Sequence, residues 1–339
     1  AYLKANPDAD KDLPLVISNM RDGAAEVLLT MGTIMLASDV TQDATLYLQL
    51  SLYLKPDLEI ATLILSQAYS ELQQHGVANE LLAKIQPSSQ LYDTAQLYIA
   101  INLGRLKKTD EAIDKLNSII VQSPNNIDAY IAKGDLLRAQ ERYGDAVSVY
   151  EVALGTLKEV KPQHWPIFFA MGTCFDKLGN WVKAEKNLRR SLELSPSQPD
   201  VLNYLGYSFL MRGDNITQAQ ELIEKAIKKR PSDPQIMDSM GWVLYLSGNY
   251  NQSVIYLERA VSLLPADAVV NEHLGDVYWR LGRKIEARFQ WDRSLIYVKD
   301  EALLREIRKK MSDGLPELKS ADGAEKKNIE IPMSAVVMQ

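Results

Sequence analysis

The sequence predicts an all-α fold of about eight helix-turn-helix repeats that ends in a capping helix. Small residues recur about every 34 positions, and a second small residue follows most of them twelve positions later. Proline recurs at the predicted end of several second helices, where it stops a helix because it has no N–H to donate. A period of this length is typical of an array in which each repeat is one supersecondary unit.

The first small residue of each repeat lies in the middle of a predicted first helix. These marker residues are Gly32, Ser66, Ala100, Gly134, Gly172, Gly206, Gly241 and Gly275. Small side chains let two helix backbones approach closely, so we expect the markers where paired helices touch. Because one pair cannot bury its apolar face alone, stacked pairs share an elongated core with a concave inner face.

The predicted organisation follows the chain from its first residue. Residues 1–24 form an N-terminal lead-in or a partial repeat, and residues 25–301 hold the eight repeats. An insertion near 158–164 widens one repeat spacing to 38. Residues 302–311 form the capping helix, because apolar side chains recur on one face and basic ones on the other. Residues 312–339, rich in Gly, Lys, Asp and Glu, are predicted to be a mobile tail.

One repeat carries a nearly complete series of spaced positions. The series is Gly241, Leu244, Ser253, Leu257, Ala260 and Pro265. This pattern resembles the tetratricopeptide repeat (TPR), and the resemblance extends over about residues 25–301. It implies a superhelical solenoid that acts through contacts with other proteins.

Composition excludes several classes of function. The 38 Lys and Arg against 44 Asp and Glu give a net charge of −6, so no overall positive field exists to hold nucleic acid. Cys174 has no second cysteine to pair with, and His75, His164 and His273 lie far apart in sequence, so we predict no metal site and no cofactor. The apolar run 27–37 is too short to span a bilayer, and no transmembrane segment is predicted.

No catalytic constellation is recognisable in the sequence. His273 and Asp276 share a helix face, but no Ser or Cys is placed beside them as a nucleophile. A histidine used in helix packing is the preferred interpretation. An enzyme in which the repeats feed a separate catalytic domain is a further alternative, but the chain leaves no room for that domain. We therefore predict a non-enzymatic protein with no catalytic residues.

A band of aromatic and polar residues is predicted on the first helices of repeats five to eight. In each repeat, the residue three before the marker and those one, four and five after it face the concave groove. The predicted partner-binding residues are Phe169, Asn203, Tyr207, Met211, Asp238, Trp242, Tyr245, Glu272, Asp276, Trp279 and Arg280. Aromatic, Met and Arg side chains are typical of protein contact surfaces. The alternative is that the aromatic residues only pack between neighbouring first helices.

A closer resemblance covers about residues 196–295. Residues 201–208, 238–245, 257–261 and 271–279 look like a bacterial TPR family of envelope proteins. That family includes the lipoprotein adaptor that presents substrates to a carboxy-terminal processing protease. The resemblance implies a periplasmic scaffold or adaptor that supports envelope integrity or protein turnover. Its partner would be a peptide segment or a protein, such as an envelope protease or a cell-wall enzyme.

The main alternative is a cytoplasmic TPR co-chaperone or complex-assembly factor. The two hypotheses share the fold, the protein partner and the groove, and they differ in the compartment. The given sequence starts at Ala1 and contains no signal segment, so the upstream coding sequence would separate them. A hydrophobic signal segment there would exclude the cytoplasmic alternative.

Overall fold

A computed structural model describes residues 19–316, and this range contains seventeen α-helices and no β-strand. The predicted all-α class, with about eight helical pairs and a single final helix, is confirmed. The first 18 residues of the predicted lead-in and residues 317–339 of the predicted tail lie outside the described residues. None of the helices in the described range is both long enough and apolar enough to cross a bilayer.

The chain divides into two compact units between Val160 and Lys161. Unit 1 contains four helical pairs: α1 (Met20–Ala37), α2 (Thr41–Leu54), α3 (Glu59–Glu71), α4 (His75–Leu82), α5 (Tyr92–Arg105), α6 (Thr109–Gln122), α7 (Ile127–Ala139) and α8 (Tyr143–Gly155). Unit 2 contains four further pairs and a last helix: α9 (Trp165–Lys177), α10 (Trp181–Leu194), α11 (Pro199–Arg212), α12 (Ile216–Lys229), α13 (Pro234–Leu246), α14 (Tyr250–Leu263), α15 (Ala268–Arg280), α16 (Lys284–Tyr297) and α17 (Glu301–Asp313). A 3₁₀ turn at Pro162–His164 precedes α9 and lies in the predicted insertion.

The two helices of a pair meet at the small residues that define the repeat. A Cβ atom added to Gly241 would lie 2.5 Å from Leu257 Cγ on the next helix, which is closer than carbon atoms pack. The second small residue of every repeat is fully buried. These residues are Ala44, Ala78, Ala112, Ala146, Ala184, Ala219, Ser253 and Ala287. Small side chains at both positions therefore fix how closely paired helices approach.

The turn inside each pair contains a residue in the left-handed backbone region, and the turn between α11 and α12 contains a second one, Asn215. In unit 2 this residue is glycine, at Gly179, Gly213, Gly248 and Gly282. In unit 1 the equivalent residues carry side chains, at Asp39, Gln73, Lys107 and Glu141. A Cβ atom in this region crowds the following carbonyl group, and only glycine avoids that cost. Every turn of unit 1 therefore has a strained residue with a side chain, whereas in unit 2 only Asn215 does.

The last helix covers the apolar side of the final pair. Leu303 and Ile307 of α17 are buried in one cluster with Leu274, Val277 and Trp291. Burial of each such side chain stabilises the fold by ~1.5–3 kcal/mol. Helix α17 contains the residues predicted as a cap and covers the apolar side that the final pair would otherwise expose.

The strained turns of unit 1 lead to a stability prediction. We expect Lys107→Gly to raise the free energy of unfolding by roughly 0.5–1 kcal/mol, because relief of the left-handed strain exceeds the added flexibility of the unfolded chain. Lys108→Gly is the matched control, since its neighbour Lys108 has φ −88°. Urea unfolding followed by circular dichroism measures both variants. An equal loss of stability in the two variants would contradict the assignment of strain.

Candidate protein-interaction surface of the C-terminal unit

All eleven residues predicted to bind a partner lie on the first helices of unit 2. Helix α9 carries one of them, α11 and α13 carry three each, and α15 carries four. The structure separates them by burial. Five are buried inside the unit: Asn203, Tyr207, Asp238, Glu272 and Asp276. Six are half-buried and reach the surface, and we call them the half-exposed face: Phe169, Met211, Trp242, Tyr245, Trp279 and Arg280.

The five buried residues correct the expectation that the whole band faces an open groove. All five lie three before or one after a marker, where the packing of unit 2 covers them, whereas Phe169 and Trp242 at the same positions remain half-buried. Tyr207 keeps 9% of its surface exposed and Glu272 5%, which leaves too little area for a partner to contact. Their contribution is to the interior of unit 2, beneath the half-exposed face.

Charged side chains are brought together in this interior, and we call them the buried charge network: Asp238, Glu272, His273, Asp276 and Lys310. His273 Nδ1 lies 2.9 Å from Asp238 Oδ1, so α15 is tied to α13. Lys310 Nζ of α17 donates to Glu272 Oε1 and, over 2.8 Å, to Asp276 Oδ2. Trp291 Nε1 donates to Asp276 Oδ1 over 2.9 Å. Four helices of unit 2 are thus joined by charged or polar contacts.

The balance of charges in the network sets the pKa values. Burial and the nearby Glu272 carboxylate raise the pKa of Asp276 to about 7, although Lys310 and Trp291 oppose the rise. Burial would also raise the pKa of Glu272, but Lys310 and His273 outweigh it and lower that pKa. Burial alone would lower the pKa of His273, but Asp238, Glu272 and Asp276 raise it. Burial and the neighbouring carboxylate thus favour the protonated form of Asp276, whereas Lys310 and His273 favour the charged form of Glu272.

The aromatic residues stack on this network from the surface side. The rings of Trp242 and His273 lie 3.9 Å apart at 13°, and those of Trp242 and Tyr245 lie 4.7 Å apart at 12°. Arg280 Nε donates to the Tyr245 hydroxyl over 3.4 Å. Trp242 Nε1 and Asn203 Oδ1 are buried polar atoms without a hydrogen-bond partner in the described part of the chain. Trp242 and Tyr245 are therefore held in place by stacking on His273 of the buried charge network.

The chain itself covers part of the last repeat. Gly314 follows α17 and packs against the Trp279 ring, where a side chain would have no room. Arg280 Nη1 donates to the Pro316 carbonyl oxygen over 2.6 Å. Of the predicted residues in repeat eight, the two that reach the surface are thus contacted by the segment after α17. The half-exposed face is freest around Met211, Trp242 and Tyr245.

Sequence reasoning missed the role of Lys310. The prediction placed it with the exposed basic residues of the capping helix, but only 8% of its surface is exposed. Lys310 stands 34 positions after Asp276, which is one repeat length. Reading the repeat register into α17 would have placed the lysine opposite the carboxylate. His273 was expected to be a packing histidine, and it is buried between two carboxylates as part of the network.

Comparison with known proteins identifies the repeats. A tetratricopeptide-repeat family model matches residues 97–159 in unit 1 and residues 169–234 in unit 2. Anaphase-promoting complex subunit 3 of Dictyostelium discoideum is 30% identical over 98 residues, which are 29% of this chain and 10% of that protein. The subunit of the same name from Schizosaccharomyces pombe is 20% identical over 178 residues, 52% of this chain and 26% of that protein. The chain thus spans a minor part of the length of either relative.

We expect Lys310→Met to lower the free energy of unfolding by roughly 3–5 kcal/mol near neutral pH. The reason is that two buried carboxylates lose their cation, and an uncompensated buried charge is costly. Lys309→Met is the control, because Lys309 is exposed on the same helix and its replacement should change stability by less than about 0.5 kcal/mol. Urea unfolding of both variants compares them. Equal free energies of unfolding for the Lys310→Met and Lys309→Met variants would contradict the prediction, because removal of Lys310 would then leave no buried charge without compensation.

The raised pKa values of Asp276 and His273 predict that stability falls as the pH rises. Folded Asp276 keeps its proton up to about pH 7, whereas the unfolded group loses it near its ordinary value of 3.8. The raised pKa of His273 adds stability that is complete below pH 6.5, the ordinary histidine pKa. This stability is lost as the pH rises through the higher pKa of the folded protein. The lowered pKa of Glu272 acts oppositely, but only at acidic pH, since its contribution is lost as the pH falls through the folded value. We therefore expect the free energy of unfolding to fall by roughly 1–3 kcal/mol from pH 5 to pH 8.

Urea unfolding at pH 5 and at pH 8 measures this fall. In Asp276→Asn the side chain cannot bind the proton, so we expect a smaller fall than in the unmodified protein. The same fall in both proteins would exclude Asp276 as its source.

Two solved structures share the fold. The crystal structure of the APC/C hetero-tetramer Cut9–Hcn1 matches 92% of this chain and 59% of that chain, with a TM-score of 0.62 at 18% identity. A tetratricopeptide repeat protein from Parabacteroides merdae matches 75% of this chain and 98% of that chain, with a TM-score of 0.54 at 16% identity. These matches leave the predicted likeness to the bacterial protease adaptor unconfirmed. The family model matches residues in both units and the solved structures share the helical-pair fold, so the chain is similar to tetratricopeptide-repeat proteins.

Proposed function

We propose that this chain is a non-enzymatic scaffold of the complex-assembly type, which binds a partner protein through the half-exposed face of unit 2. The observation that carries the proposal is the stack of Trp242 and Tyr245, which reaches the surface on top of a rigid layer. Trp, Tyr and Arg are the residues that contribute most often to protein interfaces. A face that is already ordered also loses little conformational entropy on binding.

The contact area proposed for the partner is the part of the face that the chain leaves free. It contains Phe169, Met211, Trp242 and Tyr245, all of which are half-buried. Phe169 packs edge-on against Tyr204, with ring centroids 5.9 Å apart, so it is held in place like the stacked pair. The partner should present apolar and aromatic side chains, because nearly all the polar groups here are turned inward. Trp279 and Arg280 are the edge of this area, since the segment after α17 contacts them.

The names of the curated relatives favour complex assembly, the alternative considered from sequence, over the predicted envelope adaptor. Both relatives are subunits of an anaphase-promoting complex. A repeat scaffold in a multisubunit complex needs a rigid face and no chemistry of its own, and the face described here has those properties. The proposal therefore includes a cytoplasmic location, and the envelope adaptor is the outcome that the experiment must separate from it.

Affinity purification of the tagged protein, from the cytosol and from the envelope fraction of its source cells, tests the proposal. We expect Met211→Glu and Tyr245→Ala each to reduce recovery of the cytosolic partner about tenfold or more, because residues at the centre of an interface contribute 1–2 kcal/mol or more. Quantitative mass spectrometry measures recovery.

Matched controls carry the same changes on second helices. Ile255→Glu on α14 and Tyr297→Ala on α16 replace side chains that are 64% and 39% exposed. Both controls should retain the partner. Partner recovery unaffected by the two site variants would exclude the half-exposed face, and recovery from the envelope fraction alone would favour the envelope adaptor.

A further inference from the structure

Unit 1 contains a groove that the sequence analysis did not identify. It lies between the first helices α5 and α7 and has a volume of about 880 Å³. Residues Leu97, Ile101, Ile131 and Leu136 form its apolar floor. The volume is at the upper end of the range for ligand sites in proteins, and it exceeds what one side chain would fill.

Small residues of both helices line the groove, namely Ala100 and Gly104 of α5 and Ala132 and Ala139 of α7. In unit 2, the equivalent helices carry Tyr, Trp and Arg at positions near the marker, and these side chains fill the space. The same architecture therefore leaves an open channel in unit 1 and a packed face in unit 2.

Charged residues stand at the two ends of the groove. Asp93 and Asp128 are exposed, and each is the second residue of its helix, so both lie at the same end. Arg105 is the last residue of α5 and is exposed at the opposite end. Twelve helical residues separate Asp93 from Arg105, which corresponds to about 18 Å along the helix. Asp135 also lines the groove, but it accepts a hydrogen bond from the Tyr150 hydroxyl over 2.7 Å and is engaged by the chain itself.

We propose that this groove binds an amphipathic helix of a partner protein, antiparallel to α5. The acidic first turn of that helix lies over Arg105, its apolar side chains lie on the floor, and its basic last turn lies over Asp93 and Asp128. This orientation satisfies both charged ends of the groove. It is also the arrangement that a helix favours by itself, because acidic residues stabilise its first turn and basic residues its last. When an amphipathic helix binds in an apolar groove, the apolar residues that contact the groove recur at intervals of three and four positions.

This site is independent of the proposed function of unit 2. It lies on other helices, has an aliphatic floor with charged ends, and selects a different partner segment. With both sites, the chain would link two proteins. Variants in one unit leave the other site intact, so failure of one proposal does not decide the other.

A pair of fluorescein-labelled synthetic peptides tests the groove directly. Both have the same composition, with two Glu, two Lys and a central segment of Leu and Ala at helical spacing. The first peptide has Glu at its N-terminal end and Lys at its C-terminal end, and the second has these ends exchanged. Fluorescence anisotropy measures the binding of each peptide to the full chain. We expect the first peptide to bind about tenfold more tightly, because exchange of the ends turns attraction into repulsion at both ends of the groove.

Charge reversal of the groove should reverse this preference. The triple variant Asp93→Lys, Asp128→Lys and Arg105→Glu should bind the second peptide more tightly than the first. The control Asp114→Lys, Glu151→Lys and Lys158→Glu makes the same charge changes at exposed positions outside the groove and should keep the original preference. Circular dichroism checks that both variants are folded. The proposal is overturned if the unmodified chain binds neither peptide at millimolar concentration, or if the groove variant keeps the original preference.

Discussion

The close approach of two helices at one small residue is the constraint on which the rest of the molecule depends. Because Gly241 leaves no room for a side chain, the distance between its helix and the next is fixed. When that distance recurs at each repeat, equivalent positions on successive first helices meet. The residue three before one marker contacts the residue two before the next, as Phe169 contacts Tyr204 and Asp238 contacts His273. The repeat period thus decides which side chains become neighbours. The residue types at those positions decide whether the contact is aromatic or charged.

In unit 2 this ladder of contacts changes from aromatic to charged along the chain. It begins with an edge-on ring contact at Phe169 and ends with carboxylates that meet Lys310. A buried ion pair adds little net stability compared with apolar packing, but loss of one member is costly because the other charge remains buried. Helix α17 is therefore more than an apolar cover. It supplies the cation that the carboxylates of α15 require, and it fixes the layer on which Trp242 and Tyr245 rest.

The sequence was sufficient to predict the fold, because a period of small residues has few physical interpretations. The candidate site was only partly predictable. Position within the repeat predicted that Asp238 faces the groove, but Asp238 is buried, because burial there depends on the neighbouring helix, which no local pattern records. The left-handed turns at Lys107 and Glu141 were also missed, because lysine and glutamate do not mark such a turn in a sequence. The contact of Lys310, by contrast, could have been predicted from the sequence, because Lys310 lies one repeat length after Asp276.

Side-chain size explains why the two units present different surfaces on one architecture. Where the first helices carry Tyr and Trp, as at Tyr207 and Trp242, the inner side is filled and only ring edges remain at the surface. Where smaller residues such as Ala132 stand on the first helices of unit 1, a groove of about 880 Å³ remains between α5 and α7. Helical pairs build both units, so this architecture cannot by itself specify a partner. Recognition depends instead on a few positions per repeat, at which a change of residue converts a packed face into a binding channel without altering the fold.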